Sequence, residues 1–177
     1  LKFLSKSNSE ILTIDALINE YGKENIDLLD KKVKNIKILD LACGSGIFLL
    51  KAIDLLLKIK KEIIAYKNEI EKHYIQSTEE KERNKKENSP TKDLVISYQL
   101  NTIKFVEEQE LREIINSNIF GVDINEESVE ITKLSLFFKM YHKNIKLLDL
   151  ANIIKCGDSL FEENIISKEK AFNWNDH

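Results

Sequence analysis

The sequence predicts an α/β domain built on a parallel sheet with flanking helices. Three short apolar runs have the composition of buried strands, at 37–41, 119–123 and 153–158. Segments with helical periodicity separate them, and this alternation is typical of parallel strands joined by helical crossovers. Four of the five glycines lie at or just after these runs, and each run has an aspartate at or near its carboxyl end.

The composition limits the class of protein. The chain has 177 residues, 42% of them hydrophobic and 32% charged, which suits a packed core and excludes global disorder. It has no run of the roughly 18 apolar residues that a membrane helix needs and no secretory leader, so we expect a cytoplasmic protein. It does not begin with methionine, so we expect a segment cut from a longer protein. Two cysteines and three widely spaced histidines predict neither a metal site nor a disulfide framework. A net charge of −3 argues against a basic nucleic-acid-binding module.

The first helices follow from apolar periodicity. A helix is predicted over 9–29, with Gly22 as a candidate stop signal. One long amphipathic helix is predicted from Ile47 to about Gln76, where apolar residues recur every three or four positions. Residues 77–92 contain no apolar side chain, so a solvated, mobile loop is expected there.

The later helices flank the second strand. Helical periodicity resumes at about 94–116, and another helix is predicted to begin after Asn125, which is a good N-cap. Glu126 and Glu127 lie in the first turn of that helix, where the helix dipole favours acidic groups. The apolar positions expected along it are Ile131, Leu134, Phe138 and Tyr141. The predicted order is therefore helix, strand, helix, helical arm, strand, helix, strand and tail.

The turn after the first strand has the composition of a ligand-binding loop. It reads Asp-Leu-Ala-Cys-Gly-Ser-Gly over 40–46 and leads into the long helix. Glycines at 44 and 46 let backbone N–H groups approach a ligand, and the helix N-terminus adds a partial positive charge. Nucleotide-like ligands bind at this end of such sheets. A dinucleotide is disfavoured, because Leu49 stands where the third glycine of its fingerprint should be.

The ends of the other two strands add hydrogen-bond acceptors. Asp123 could accept hydrogen bonds from ribose hydroxyl groups, and Ile124 beside it could pack on an adenine face. Asp158 could accept a hydrogen bond from the adenine amine. Three aspartates at neighbouring strand ends match an uncharged adenosine with a zwitterionic tail better than a polyphosphate. The competing interpretation of each aspartate is a turn-forming residue.

Together these motifs resemble the S-adenosylmethionine-binding half of the class I methyltransferases. Residues 38–49 are similar to motif I of the adenine-N6 DNA methyltransferases, while 118–125 and 152–160 resemble their next two motifs. The helical insertion before the second motif, and the Phe-Asn-Trp sequence at 172–174, resemble the type IIG restriction–modification enzymes. The resemblance covers the chain from about residue 36 to its end.

The resemblance implies a partial Rossmann-like fold with the strand order 3-2-1. It implies a cofactor-binding domain over 36–177 with a helical insertion at about 60–116, preceded by a helical segment over 1–35. The cofactor would be S-adenosylmethionine, and double-stranded DNA would bind through regions outside this chain. The exposed edge of the first strand would favour self-association. The residues implied to bind the cofactor are Asp40, Ala42, Cys43, Gly44, Ser45, Gly46, Phe48, Asp123, Ile124, Asp158 and Ser159.

The chain departs from the family pattern at two places. Leu41 occupies a position that is usually proline, a change expected to leave binding intact. Family members carry Asn/Asp-Pro-Pro-aromatic on the next strand, whereas the one proline here is Pro90, in a polar stretch. We therefore predict no catalytic residue in this chain, weak or no binding of S-adenosylmethionine by the chain alone, and no methylation of DNA by it.

Two other functions stay open at this point. A methyltransferase of the same fold could act on RNA, protein or a small molecule, because the fold does not decide the substrate. Alternatively, residues 60–116 could form a non-catalytic helical arm that contacts a partner or DNA. The charged face of that arm is more simply explained as a solvated surface.

Overall fold

The structure is a computed structural model that describes residue 4 and residues 13–82, 107–141 and 149–160. Predictions that fall on other residues, including 83–92 and the Phe-Asn-Trp sequence at 172–174, lie outside the described residues. The helices are α1 (Ile14–Asn35), α2 (Ile47–Glu82), α3 (107–118) and α4 (Glu126–Met140), and the strands are β1 (Ile38–Asp40), β2 (Ile119–Asp123) and β3 (Ile154–Cys156). None of the described helices has the length and apolar character needed to cross a membrane.

The three strands form one parallel sheet in the order β1-β2-β3. Ile38 pairs with Ile119 in the first ladder, and Gly121 pairs with Ile154 in the second. Each crossover between neighbouring strands contains helix, as parallel pairing requires. The predicted α/β class, the parallel sheet and its 3-2-1 order are therefore confirmed.

Two predicted helix boundaries are wrong. Gly22 does not end α1; it has φ 64° and ψ −175°, which kinks the helix, and helical structure then continues to Asn35. Apolar residues resume after the kink, at Ile26 and Leu29, and their burial holds the second stretch in place. The helix α2 extends to Glu82, so 77–82 are helical rather than a loop. Glutamate and lysine are good helix formers, so the absence of apolar residues there does not end the helix.

The chain divides into two compact units. The helical unit comprises the described residues of Leu1–Val33 and Leu57–Glu110, and the sheet unit comprises those of Lys34–Leu56 and Leu111–His177. The helical unit has its own apolar core. Its fully buried side chains include Leu17, Tyr21, Leu29, Ile59 and Ile63.

An ion cluster lies inside the helical unit. Lys60 is 2% exposed, and its Nζ lies 2.5 Å from Oδ1 of Asp30 and 3.0 Å from Oε2 of Glu110. Lys67 pairs with the other oxygen of Asp30 at 3.1 Å. Burial raises the pKa of Asp30, but the two lysines outweigh burial and leave this pKa below its usual value. The cluster therefore ties α1 and α2 together and needs Asp30 in its charged form.

The sheet unit has a second core between its helices and strands. Asn118 is buried at the end of α3, and its side-chain amide donates to the carbonyl of Ile36 at 2.7 Å. This bond fixes the start of β1 beside the start of β2. The buried apolar residues include Leu49, Ile53, Ile114, Ile115, Ile119, Val122, Leu136 and Ile154.

The helix α4 begins where the sequence predicts. Asn125 accepts a hydrogen bond from the N–H of Ser128 and is the N-cap, with Glu126 and Glu127 in the first turn. The buried face of α4 is formed by Val129, Thr132, Leu136 and Met140. The four apolar positions that periodicity singled out, at 131, 134, 138 and 141, are instead 51–66% exposed. Because α4 has apolar residues on both faces, periodicity alone cannot tell which face contacts the sheet.

Candidate functional site

The turn after β1 runs alongside the end of β2. Asp40, the last residue of β1, pairs with Gly121, and β2 continues for two more residues to Asp123. Past Asp40 the chain stays next to β2, because the N–H of Cys43 donates to the carbonyl of Val122 at 3.0 Å. The turn therefore arrives at the carboxyl end of β2, where the sequence predicts a ligand site.

A hydrogen bond joins this turn to the carboxylate at the end of β2. The N–H of Gly44 donates to Oδ2 of Asp123, with an N···O distance of 2.8 Å. The N–H of Gly46 donates to the carbonyl of Cys43 at 2.8 Å and closes the turn, and α2 begins at Ile47. Two residues predicted from different motifs, Gly44 and Asp123, are therefore in direct contact.

The two glycines of the turn are needed for different reasons. Both have a left-handed backbone, with φ 53° at Gly44 and φ 78° at Gly46, which glycine adopts without a steric penalty. A Cβ on Gly44 would meet no atom within 4 Å, so a ligand can approach this residue closely. A Cβ on Gly46 would lie 2.8 Å from Cγ2 of Thr132, so packing also requires glycine there.

Thr132 belongs to this site but is not among the residues predicted from the sequence. It lies on α4 with 0% of its surface exposed, and its hydroxyl donates to the carbonyl of Gly44 at 2.7 Å. One signal in the sequence could have marked it as a buried polar residue, although not shown its partner. Thr132 is a polar residue on the same helical face as Val129 and Leu136, three residues before it and four after it.

Gly121, in the middle of β2, has no side chain and so leaves room for the side chain of Leu49 to pack on the strand. A Cβ on Gly121 would lie 2.9 Å from Cδ1 of Leu49, 3.0 Å from Cδ1 of Ile154 and 3.2 Å from Cβ of Cys43. Leu49 stands where a dinucleotide-binding fold has its third glycine, which serves close packing of helix on strand. Here the glycine, Gly121, is on the strand, and the large side chain, Leu49, is on the helix. The helix can therefore pack close to the strand although position 49 is not glycine.

All three predicted aspartates form the same local turn. In each, Oδ1 accepts a hydrogen bond from the backbone N–H two residues later, as in an Asx turn. The bonds join Asp40 to Ala42 at 3.2 Å, Asp123 to Asn125 at 2.9 Å and Asp158 to Leu160 at 3.0 Å. All three aspartates are therefore turn formers, as the competing interpretation holds. It does not exclude binding, because a carboxylate can accept about four hydrogen bonds.

Asp40 and Asp123 act on a common neighbour. Cys43 is buried, and burial raises the pKa of its thiol. A hydrogen bond with Thr132 lowers this pKa, while the negative charges of Asp123 and Asp40 raise it. Asp40 accepts a hydrogen bond from the N–H of Ala42 and Asp123 accepts one from the N–H of Gly44, so the first two predicted carboxylates contact the same turn.

The loop after β3 reaches the turn through Ser159 rather than through Asp158. Cys156 pairs with Asp123, so Asp158 lies two residues beyond the level at which β2 ends. The hydroxyl of Ser159 donates to the carbonyl of Leu41 at 2.9 Å, while the carboxylate of Asp158 bonds within its own loop. The loops that follow all three strands thus meet at one edge of the sheet.

The other predicted residues differ in exposure. Phe48 and Ile124 are 59% and 52% exposed, and Ala42 and Ser45 are also exposed, so all four can contact a ligand. The side chain of Cys43 instead packs inward, at 5% exposed. Cys43 therefore shapes the site through its backbone.

Comparisons with known proteins identify the family of this chain. The family model of the MmeI DNA-methyltransferase domain matches residues 17–177. A protein of Methanocaldococcus jannaschii, named as a type II restriction enzyme and methyltransferase, is 30% identical over 174 residues, covering 86% of this chain and 12% of that protein. No solved structure matches the chain. Because the family model matches most of its length, this chain belongs to the MmeI DNA-methyltransferase domain family.

Proposed function

We propose that this chain is the S-adenosylmethionine-binding portion of a site-specific adenine-N6 DNA methyltransferase. The observation that carries the proposal is the hydrogen bond between Gly44 and Asp123, which joins the glycine turn to the acidic end of β2. Membership of the family supports DNA methylation, and the motif resemblance over 38–49 supports adenine as the base.

The residues present fit this cofactor. Gly44 has open space on the side where a Cβ would lie, and Asp123 retains acceptor capacity for ribose hydroxyl groups. Exposed Ile124 and Phe48 offer apolar contact to an adenine ring. The carboxylate of Asp158, which accepts one bond from the N–H of Leu160, has capacity to accept another from the adenine amine. When bound, S-adenosylmethionine supplies a methyl group on a positively charged sulfur.

The chain's own residues bind and orient the cofactor, and orientation is a large part of catalysis between two bound reactants. In the family, an Asn/Asp-Pro-Pro-aromatic motif holds the target adenine, which is turned out of the DNA helix. The printed sequence lacks this motif. The proposal therefore places the base-holding residues, and the contacts with double-stranded DNA, in polypeptide outside these 177 residues. The M. jannaschii relative, of which this chain matches only 12%, is long enough to hold such regions.

Cofactor binding is tested on the purified chain by NMR titration with S-adenosylhomocysteine, ATP and NAD. We expect weak binding of S-adenosylhomocysteine at most, with shifts at the amides of 44–46, and none of these shifts with the other two nucleotides. Asp123→Asn should abolish the shifts. A matched control is Asp149→Asn, because Asp149 forms the same type of turn with Ala151, at 2.9 Å, outside the site. Preferential binding of ATP or NAD would contradict the proposal.

Base specificity and inactivity need separate assays. The purified chain, incubated with DNA and S-adenosylmethionine labelled on the methyl group, should transfer no label, and measurable transfer would refute the predicted inactivity. Expression of the complete gene that encodes this chain should introduce N6-methyladenine into host DNA. Mass spectrometry that found 5-methylcytosine instead would refute adenine specificity.

A further inference from the structure

Asp123 is already engaged in the structure, with both of its oxygens bonded. Oδ2 accepts from the N–H of Gly44 at 2.8 Å, and Oδ1 accepts from the N–H of Asn125 at 2.9 Å. If Asp123 binds the ribose of the cofactor, its bond to Gly44 must be shared or released. A turn held by that bond alone would lose its anchor at the moment of binding.

A second anchor holds the same residue from the opposite side. The carbonyl of Gly44 accepts a hydrogen bond from the hydroxyl of Thr132 at 2.7 Å. Thr132 is fully buried on α4, and α4 packs against β2 and β3, so this anchor belongs to the packed core of the sheet unit. The methyl group of Thr132 faces Gly46, where a Cβ would lie only 2.8 Å away.

The direction of the Thr132 hydroxyl is unusual for a helix. A serine or threonine within a helix commonly bonds to the carbonyl four residues earlier. Ser135 on α4 does this, donating to Ile131 at 2.8 Å. Thr132 instead bonds to a residue 88 positions away in the chain. The hydroxyl of Thr132 therefore joins α4 to the glycine turn rather than to its own helix.

We propose that Thr132 is a positioning residue for the cofactor, an inference that rests on the proposed function. It keeps the turn over 44–46 in its left-handed conformation while Asp123 accepts hydrogen bonds from the ribose and its bond to the Gly44 amide is shared or released. The hydroxyl does this by holding the carbonyl of Gly44. The site is thereby preorganised before the cofactor arrives, which lowers the entropy lost on binding.

The test compares Thr132→Val, which keeps the shape and removes the hydroxyl, with Thr132→Ser, which keeps the hydroxyl. Ser135→Ala is the matched control, because it removes a hydroxyl from the same helix that does not reach the turn. Two measurements are made on the purified chain by NMR. One is hydrogen exchange at the amides of 44–46 without ligand, and the other is the Kd for S-adenosylhomocysteine.

We expect Thr132→Val to speed exchange at 44–46 and to raise the Kd, each by roughly 3- to 10-fold, the effect of one neutral hydrogen bond. Thr132→Ser should restore both values to within about 2-fold, and Ser135→Ala should change neither. Exchange in β2 reports the opening of the whole sheet unit and should rise by no more than the same factor, so the Kd of the folded chain separates an effect on the site from a loss of overall stability.

Each outcome decides the inference. Unchanged exchange at 44–46 in a folded Thr132→Val protein overturns it, as does a Kd equal to that of the unmutated chain. Failure of Thr132→Ser to restore the values would show that packing rather than the hydroxyl matters, and also overturns it. If the unmutated chain binds no S-adenosylhomocysteine, the exchange measurement alone decides the role of Thr132, independently of the proposed function.

Discussion

Replacing the two glycines of the turn by alanine should have unequal effects on stability. Gly44→Ala and Gly46→Ala both place a Cβ on a left-handed backbone, which costs about 1–2 kcal/mol for an L residue. Only Gly46→Ala adds a collision, because its Cβ would lie 2.8 Å from Cγ2 and 3.0 Å from Oγ1 of Thr132. Overpacking of this kind costs about 1–3 kcal/mol. The expected losses are therefore about 1–2 kcal/mol for Gly44→Ala and about 2–5 kcal/mol for Gly46→Ala.

The assay is native-state hydrogen exchange at the amides of β2, which reports the opening of the sheet unit separately from the helical unit. A double-mutant cycle with Thr132→Ser adds a direct check, because this change removes Cγ2, the closest atom, and keeps the hydroxyl. The cycle should show that Thr132→Ser recovers about 1 kcal/mol or more in the Gly46→Ala background, as overpacking is relieved. Equal losses of stability for the two alanine variants, or no recovery of stability in the cycle, would refute the claim that Thr132 packs against Gly46.

Three further predictions concern the helical unit and the sheet edge. Lys60→Met should lower the free energy of unfolding by about 3 kcal/mol in urea denaturation followed by circular dichroism, because it removes the buried ammonium that pairs with the partly buried carboxylates of Asp30 and Glu110. Lys61→Met, which removes a pair whose side chains are both more than a third exposed, should change it by less than about 1 kcal/mol, and equal effects would contradict the role of burial. The pKa of Asp30 lies below its usual value, so the stability that this group contributes is present above the usual pKa of an aspartate and is lost as the pH falls through its folded-state pKa. Asp30→Asn should remove this part of the acid transition. Among the described strands β1 pairs only with β2, so we propose that the chain self-associates through the free edge of β1. Leu39→Lys should weaken this association in sedimentation velocity. A monodisperse monomer of the unmutated chain would count against the proposal.

The aspartates of the site show why a local motif supports two interpretations at once. An aspartate that ends a strand both forms a turn with the next residues and presents a carboxylate at the edge of the sheet. The turn bonds of Asp40, Asp123 and Asp158 all involve the backbone two residues later, and they fix where each carboxylate lies. Asp123 differs from the other two, because its second oxygen reaches a residue 79 positions away. That long-range contact is what makes Asp123→Asn the most informative substitution for cofactor binding.

The features that the sequence predicted correctly depend on neighbours within a few residues. The strand–helix alternation, the parallel sheet, the cap at Asn125 and the meeting of the strand-end loops all follow from short-range patterns and from the geometry of parallel strands. The wrong boundaries, at Gly22 and at 77–82, fall where local signals are weak. A glycine can kink a helix as readily as end it, and charged residues can extend one into solvent.

The sequence by itself determined the fold class and the residues of the glycine turn, because backbone preferences and motif spacing act over short distances. Only the tertiary structure decided which face of α4 contacts the sheet, since both faces are apolar. It also decided that Thr132 bonds to Gly44 and that Leu49 packs on Gly121, contacts between residues far apart in the chain. Such contacts depend on how the strands and helices are assembled, and no pattern within a single segment contains that information.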